Sequence, residues 1–231
     1  MNAREIENNI TKSTLLHIIH NELAELRLST NDYIEIANSI LDEALDKKQT
    51  NGSTAGRPRY EVIKKLPAAS GEIQIRPFDA ARDMNFVDKW TTDQTGKEFL
   101  ISRIENTSVA FEELLTSENN IFGVVTKASG KPIGIVGFLN VDRQQRKAEL
   151  RKLIGDPGVR GMGYGKKATR LWLSYGIHGL NLRKIYLYTF DTNLRNIRIN
   201  EELGFKLEGI FRAENIIDDK PKDIIRMGLI V

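Results

Sequence analysis

The sequence of 231 residues contains no cysteine, so a disulfide, a thiolate nucleophile and a cysteine-ligated metal site are excluded. Histidine is scarce as well, because the chain has only three, His17, His20 and His178. These histidines are too scattered to form a cluster of metal ligands. We therefore expect no metal cofactor.

Long apolar runs are missing too. No stretch of about 18 apolar residues occurs, and the N-terminus lacks the basic-then-apolar order of a secretion signal. The content of 40% hydrophobic and 28% charged residues is that of an ordinary soluble protein. These features predict a cytoplasmic protein with no membrane partner.

Basic residues exceed acidic ones only slightly, and the two kinds are unevenly distributed. The formal net charge is +3, but residues 1–48 contain nine acidic and five basic residues, a net charge of −4, which leaves +7 for the rest. A basic portion of this size suits an anionic ligand. Because the basic residues form no polybasic run with interleaved aromatics, we expect no nucleic-acid partner.

The first part of the chain has the pattern of paired helices. Apolar residues in 4–47 recur at helical spacing in two segments, and Thr30 or Asn31 can cap the second. Two short helices cannot bury their apolar faces alone. We predict that residues 1–48 form a helical hairpin, which uses residues 4–47 for partner docking or homodimerisation.

The remaining chain divides into a linker and a larger domain. Residues 49–71 are rich in Gly, Ser, Thr and Pro, which is typical of a linker. Residues 72–231 alternate between strand and helix patterns in the order β-α-α-β-β-β-α-β-α-β-β. This order predicts an α+β (three-layer α/β) domain, with a mixed, mostly antiparallel sheet of about seven strands and helices on both faces.

A glycine-rich stretch at residues 159–167 separates a predicted strand, 147–156, from a predicted helix, 168–180. Glycines let the backbone approach a ligand closely, and a helix start leaves N–H groups unpaired with a partial positive charge. Such a place binds phosphate.

The spacing of this stretch excludes two common phosphate loops. A dinucleotide fingerprint beginning at Gly161 requires glycine where the chain has Lys166. A Walker loop requires glycine at Arg160 and Ser or Thr at Lys167, which argues against a nucleotide hydrolase. A glycine-rich turn without a ligand is the remaining structural alternative.

Three segments, in this order, resemble the GNAT superfamily of acetyl-CoA-dependent N-acetyltransferases. They are Arg160-x-x-Gly163-x-Gly165, Asn193-Leu194-Arg195-Asn196 and Asn200-Glu201-Glu202-Leu203-Gly204-Phe205. The resemblance covers residues 72–231 and is closest to the ribosomal-protein N-terminal and spermidine acetyltransferases. It implies acetyl-CoA as the co-substrate, with its pantetheine arm between two strands that splay apart.

The resemblance also implies a set of binding residues. The arm would be flanked by Leu153, Ile154 and Gly155, and Asn193 and Asn196 would bond to the arm and the phosphate side; helix capping is the alternative role for Asn193. The pyrophosphate would be held by Arg160, Gly161, Met162, Gly163, Tyr164, Gly165 and Lys166.

The expected proton donor is missing. Many members of the family have tyrosine where this chain has Asn200, and that phenol is thought to protonate the departing thiolate. Asparagine has no proton to give at neutral pH, so Tyr188 or Tyr164 is the candidate substitute. General acid assistance contributes about 10² to 10⁴ in rate, so its loss is tolerable.

A general base is also needed. Glu149 is the first candidate, because strand alternation places it with Arg151 and Leu153 toward the gap, and Asp191 is the second. Both have a plain alternative as solvated or salt-bridged strand carboxylates. A backbone N–H near Leu153 is the predicted oxyanion donor.

The predicted function is transfer of acetyl from acetyl-CoA to a primary amine by direct attack in a ternary complex. The acceptor is a small molecule such as an amino-sugar nucleotide, or a protein N-terminus. A polyamine ranks last, because it requires an acidic cluster and the sequence offers only Glu98, Glu105, Glu112 and Glu113. The alternative is a catalytically impaired GNAT domain that acts as a coenzyme A-binding or scaffold protein.

Overall fold

A computed structural model describes residues 58–91, 111–190, 193–217 and 219–231, together with Ser29, Asp32, Ile34, Ile36, Asn38 and Ser39. The chain divides into two compact units, Met1–Thr54 and Ala55–Val231, which we describe separately. None of the described helices is both long enough and apolar enough to cross a membrane.

Ser29 caps a helix in the first unit. Its backbone N–H donates to Asp32 Oδ2 at 2.7 Å, and the Asp32 N–H donates to Ser29 Oγ at 3.3 Å. This reciprocal pair is a capping box, so the cap lies one position before the predicted Thr30 and two before Asn31. Apart from the six described residues of this unit, the predicted hairpin and the docking surface at 4–47 lie outside the described residues.

The second unit contains an eight-stranded sheet in the order β1-β2-β3-β4-β5-β6-β8-β7. Its elements are β1 (Ala68–Ser70), β2 (Ile73–Pro77), α1 (Ala80–Trp90), α2 (Phe111–Leu115), β3 (Ile121–Lys127), β4 (Pro132–Asp142), β5 (Lys147–Ile154), a 3₁₀ turn (Pro157–Val159), α3 (Tyr164–His178), β6 (Lys184–Phe190), α4 (Leu194–Glu202), β7 (Lys206–Ile217) and β8 (Lys220–Ile230). Neighbouring strands pair antiparallel except β5 and β6, which are parallel.

The predicted fold class is confirmed, with one strand more than the seven expected. The additional strand β1 pairs with β2 and lies within residues predicted to be linker. Tyr60, from the same stretch, donates its hydroxyl hydrogen to the Leu203 carbonyl at 2.5 Å. The division into hairpin, linker and catalytic domain stays a prediction.

Helices on both faces of the sheet enclose two apolar clusters. On one face Trp172 of α3 is fully buried and stacks on Phe138 with ring centroids 5.1 Å apart. On the other face, side chains of α1 and α2 pack on β3, β4 and β5 around Trp90 and Phe111. Strand β4 is therefore buried on both sides for most of its length.

The parallel strands β5 and β6 separate after three paired positions. Lys147 pairs with Lys184, Ala148 with Ile185 and Glu149 with Tyr186, and the described ladder between these strands ends there. Beyond that point β5 continues to pair with β4 as far as Ile154, and β6 with β8 as far as Phe190. The divergence leaves backbone edges facing each other across a gap.

Candidate active site

A cavity of about 310 Å³ occupies this gap. Its walls combine apolar side chains, such as Leu150 of β5 and Leu187 of β6, with the glycine-rich loop at one end. It is lined by Val136, Leu150, Arg151, Lys152, Leu153, Ile154, Val159, Arg160, Gly161, Gly163, Tyr164, Gly165, Lys166, Ala168, Leu187, Tyr188, Thr189, Phe190, Asn193, Arg195, Asn196, Ile199 and Ile224.

The loop presents a row of unpaired amides to this cavity. Gly161 and Gly163 have φ of +87° and +84°, a conformation that favours glycine, and Gly163 is the N-cap of α3. Within the part of the chain that the structure describes, no acceptor bonds to the backbone N–H groups of Gly161, Gly163, Tyr164, Gly165 and Lys166. Helix α3 begins four residues earlier than predicted, so its first turn belongs to the loop. This arrangement fits a pyrophosphate.

Arg160 braces the loop against the end of β5. Its Nε donates to the Ile154 carbonyl at 2.8 Å, and its Nη2 donates to the Gly155 carbonyl at 3.2 Å. The guanidinium therefore connects the wall of the cavity to the anion-binding turn. In the predicted pyrophosphate site, Arg160 therefore holds the loop in place through its hydrogen bonds to these two carbonyls.

Further basic side chains surround the loop. Lys166 pairs with Glu202 at 2.6 Å on the surface, and Arg195 Nη2 donates to the Gly161 carbonyl at 3.3 Å. Lys127 and Lys167 each place Nζ 5.7 Å from the centre of the Tyr164 ring. These basic groups can attract phosphate to the loop, although Lys166 and Lys167 also pair with the carboxylates of Glu202 and Glu72.

Asn193 and Asn196 both line the cavity, and both already have protein partners. Asn193 Oδ1 accepts a hydrogen bond from the Asn196 N–H at 3.2 Å, so Asn193 caps α4, the alternative role noted from the sequence. Asn196 Nδ2 donates to Thr189 Oγ1 at 3.1 Å. These bonds fix the start of α4 against the end of β6.

Two residues predicted for cofactor binding lie outside the cavity lining. The Gly155 N–H donates to the Ile133 carbonyl at 3.0 Å, and a Cβ at this position would lie 2.0 Å from Trp90 Cγ. Gly155 therefore packs under the Trp90 ring, whereas Leu153 and Ile154 do line the cavity. Met162 is 61% exposed, and its N–H donates to the Val159 carbonyl at 3.4 Å.

The backbone amide of Leu153 does not face the gap. Because the Gly155 N–H bonds to β4, the antiparallel pattern directs the Leu153 amide toward β4 as well. The same pattern directs the amides of Lys152 and Ile154 toward the separated strand β6. Of the amides near Leu153, where the sequence predicts the oxyanion donor, those of Lys152 and Ile154 are therefore the ones that face the gap.

Side chains of β5 alternate between the two faces of the sheet. Glu149 and Arg151 lie on the face of α1 and α2, where Glu149 is 5% exposed and its Oε1 accepts from Arg151 Nε at 2.5 Å. Leu153 packs in the cluster on that same face. The predicted alternation is observed, and Glu149 is the last paired position before the gap. The second base candidate, Asp191, lies outside the described residues.

Lys152, on the α3 face of β5, was not identified by the sequence analysis. Its Nζ donates to Asn200 Oδ1 at 2.5 Å, and Asn200 is fully buried. Burial lowers the pKa of Lys152 to about 7. The available signal was a lysine at an inward position of a strand whose same-face neighbours, Ala148, Leu150 and Ile154, are all apolar.

Tyr188 also lines the cavity, from the opposite strand. Its ring packs edge-on against Tyr186, with centroids 5.8 Å apart, and against Phe211 at 6.1 Å. The Arg226 guanidinium carbon lies 4.4 Å from the Tyr186 ring centre and 5.7 Å from that of Tyr188. Tyr188 thus belongs to an aromatic group on the α1 and α2 face.

The site fits acetyl-CoA in three respects. Free amides and cations at the start of α3 suit a pyrophosphate, an apolar gap suits an acyl-bearing arm, and unpaired strand backbone suits the amides of that arm. Among the described residues, no three His, Asp or Glu side chains come together in a way that could hold a metal ion.

Comparison with known proteins identifies the family. The Acetyltransferase (GNAT) domain model matches residues 72–206. Spermidine N(1)-acetyltransferase of Escherichia coli strain K12 is 33% identical over 165 residues, which cover 70% of this chain and 87% of that protein.

Two solved structures of spermidine N-acetyltransferase from Vibrio cholerae have the same fold. The complex with CoA and spermine superposes with a TM-score of 0.61 at 24% identity, covering 70% of this chain and 96% of that one. A dodecameric form gives a TM-score of 0.60 at 24% identity, covering 70% and 95%. The chain therefore belongs to the GNAT superfamily and is an acetyl-CoA-dependent N-acetyltransferase.

Proposed function

We propose that the acceptor is a primary amine of a small polyamine of the spermidine class. The observation that carries this proposal is the similarity to the E. coli spermidine acetyltransferase, which extends over 87% of that protein. The ranking from sequence motifs, which placed polyamines last, is thereby revised. Amino-sugar nucleotides and protein N-termini are the competing acceptors.

Charges on the face of α1 and α2 support a cationic acceptor. The buried carboxylate of Glu149 lies where β5 and β6 separate. Glu112 and Glu113 are exposed on α2, whose Phe111 packs in the same cluster as Leu153 of β5. An ammonium group approaching from this side meets carboxylates, which lower its free energy near the gap.

The reaction forms one bond and breaks one. Acetyl-CoA supplies an acetyl group as a thioester; the amine nitrogen bonds to its carbonyl carbon, the carbon–sulfur bond breaks, and an amide and a thiol result. The nitrogen loses one proton and the sulfur gains one. In our proposal Glu149 accepts the proton from nitrogen, and the amide of Lys152 or Ile154 donates a hydrogen bond to the developing oxyanion.

An acceptor panel tests the proposal. Release of free thiol from acetyl-CoA is followed with spermidine, spermine, an amino-sugar nucleotide and peptides with free N-termini. We expect the highest kcat/KM with spermidine or spermine. If only the peptides or only the amino-sugar nucleotide are acetylated, that substrate and not a polyamine is the acceptor. Tight binding of coenzyme A without turnover on any amine would favour a scaffold role.

We also propose that residues 4–47 mediate self-association or docking. The support is sequence-based, since two short amphipathic helices need a surface to cover their apolar faces. The V. cholerae relative is dodecameric, which makes self-association the first arrangement to test. Cross-linking of the full chain followed by mass spectrometry should yield links between copies from Lys12 or Lys47. If the protein is a monomer at all concentrations, docking of a partner remains as the proposed role of residues 4–47.

A further inference from the structure

We infer that Lys152 is a catalytic residue of this enzyme: its ammonium group, oriented by Asn200, donates the proton that the departing sulfur takes up. The inference rests on the proposed transfer reaction. It assigns the acid function that Asn200 cannot perform to the lysine that Asn200 holds.

The position of Lys152 carries the argument. It lies three residues beyond Glu149, the last paired position, and its side chain lines the cavity between the separated strands. It is paired in register with Val136 of β4, which is buried in the cluster on the α3 face. The ammonium is therefore on the face served by the phosphate-binding loop, opposite to the face of Glu149.

Asn200 orients the ammonium without competing for its proton. Its Oδ1 accepts from Lys152 Nζ at 2.5 Å, and its Nδ2 donates to Met227 Sδ at 3.8 Å. The contact with sulfur fixes which end of the amide faces Lys152. Because an amide oxygen is neutral, it holds the lysine in place without the strong stabilisation of the charged form that a carboxylate would give.

The described charged groups around Lys152 have partners other than Lys152. From α3 and its loop come Lys166, which pairs with Glu202 of α4, and Arg160, which bonds to carbonyls at the end of β5. Arg195 of α4 bonds to Gly161, and on the other face Arg151 pairs with Glu149. Across the gap, β6 contributes Tyr188. Within the described part of the chain, no carboxylate forms a salt bridge with Lys152.

These surroundings suit proton donation to sulfur. Burial lowers the pKa of Lys152 to about 7, whereas a solvent-exposed lysine has a pKa of about 10.4 and a thiol about 8.5. The ammonium of Lys152 is therefore a stronger acid than a thiol, so proton transfer from it to a thiolate is favourable. The ammonium of an exposed lysine is a weaker acid than a thiol, so the same transfer from it is unfavourable. Lys152 gives up one proton as the carbon–sulfur bond breaks and regains one from water, while Glu149 takes the proton of the acceptor nitrogen.

A labelling experiment tests the site without turnover. The unliganded enzyme is pulsed with acetic anhydride between pH 5 and 10, and the peptides that contain Lys152 and Lys147 are quantified by mass spectrometry. Lys147, exposed on the same strand, is the matched control. We expect half-maximal labelling of Lys152 about two pH units or more below that of Lys147, and protection of Lys152 alone by coenzyme A. Equal midpoints, or no protection, would overturn the inference.

Variants test the proton transfer itself. Lys152→Met and Lys152→Arg should each bind coenzyme A within a few-fold of wild type, while kcat falls by about 10² to 10⁴. Arginine retains the charge but holds its proton too tightly to donate it. Asn200→Asp should raise the pKa of Lys152 and move the high-pH fall of kcat upward by about one unit or more. Lys147→Met should leave kcat unchanged.

The outcomes separate this inference from the proposed function. If wild type acetylates an amine and Lys152→Met does so with an equal kcat, only the role of Lys152 is lost. If wild type acetylates no amine of the panel, the proposed function fails, and the labelling midpoint still decides whether Lys152 is an acid of the required strength. Accumulation of acetyl-Lys152 during incubation with acetyl-CoA alone would also overturn the inference, because the lysine would then be an acceptor.

Discussion

Glu149 of β5 and Tyr186 of β6 form the last paired position between the two parallel strands. The sheet opens immediately beyond them, so a buried carboxylate lies at the edge of the gap on the face of α1 and α2. The carboxylate accepts a hydrogen bond from Arg151 Nε, which orients it. This relationship makes Glu149 the described carboxylate best placed to take a proton from an amine entering from that face.

Glu149→Gln should therefore lower kcat/KM by about 10² to 10⁴, because an amide cannot accept the proton of the attacking amine. Coenzyme A binding, measured by calorimetry, should stay within two-fold or so, because Glu149 is outside the cavity lining. Glu118→Gln, at an exposed position before β3, is the control. Wild-type turnover by Glu149→Gln would remove Glu149 from the mechanism.

The glycine at the start of α3 offers a paired comparison. Gly163 and Gly130 have φ of +84° and +83°, and neither would place a Cβ within 4 Å of another atom. Alanine at either site should thus cost a similar free energy of unfolding, about 1–2 kcal/mol. Only Gly163→Ala should weaken coenzyme A binding, by about ten-fold or more, because only its turn presents amides to the pyrophosphate.

Urea unfolding and calorimetry of the two variants measure both quantities. A loss of coenzyme A affinity in Gly130→Ala as large as that in Gly163→Ala would mean that reduced stability, and not loop shape, controls binding.

Arg160→Ala should loosen the connection between the loop and β5. The guanidinium donates to the carbonyls of Ile154 and Gly155, and hydrogen bonds of a charged donor contribute about 1.5–3 kcal/mol each. We expect coenzyme A to bind about ten-fold or more weakly. Arg143→Ala, in the exposed turn between β4 and β5, should bind it normally. Unchanged affinity in Arg160→Ala would show that the loop keeps its shape without this brace.

The ion pair between Arg76 and Asp83 should make stability depend on pH. Asp83 is 1% exposed and accepts from both Nη atoms of Arg76 at 2.7 Å. Burial raises the pKa of Asp83, but the hydrogen bonds from Arg76 and the Asp79 N–H, with the nearby arginine charges, hold it below the ordinary value of 3.8. A depressed pKa adds stability above pH 3.8, and this contribution is lost as the pH falls through the folded-state pKa.

Asp83→Asn should accordingly lower the free energy of unfolding by about 1.5–3 kcal/mol at pH 7. The difference in free energy of unfolding between the variant and wild type should shrink as the pH falls below about 4. Urea unfolding at pH 7, 5 and 3 measures this trend. Asp88→Asn, exposed on the same helix, should change little at any pH. A penalty for Asp83→Asn that is independent of pH would indicate a packing defect instead.

Much of the fold could be predicted because its signals are local. The strand patterns of β3 to β6 and the helical pattern of α3 are readable from neighbouring residues, and the structure confirms these strands and this helix. Strand β1 was missed because its three residues have linker composition and form a strand only by pairing with β2.

The same contrast between local and distant signals applies to the candidate site. The loop at 160–166 can be located from the spacing of its glycines, and Asn193 and Asn196 are expected from the resemblance to the GNAT superfamily. The resemblance assigns Gly155 to the pantetheine arm and leaves Lys152 without a role, because alternation tells which residues share a face but not which helix covers that face. The Trp90 ring above Gly155 and the Asn200 amide beside Lys152 come from distant elements.

Strand β5 acts as a partition between two compartments. Its even-numbered side chains, Leu150 and Lys152, lie on the face of α3, where we propose that the acyl donor binds, whereas the odd-numbered Glu149 and Arg151 lie on the face of α1 and α2, from which we propose that the amine arrives. Substitutions on one set leave the shape of the other intact, so a new acceptor preference can evolve without rebuilding the donor half. An inhibitor that joins both halves would have to pass through the opening between β5 and β6, beyond the position where Glu149 pairs with Tyr186.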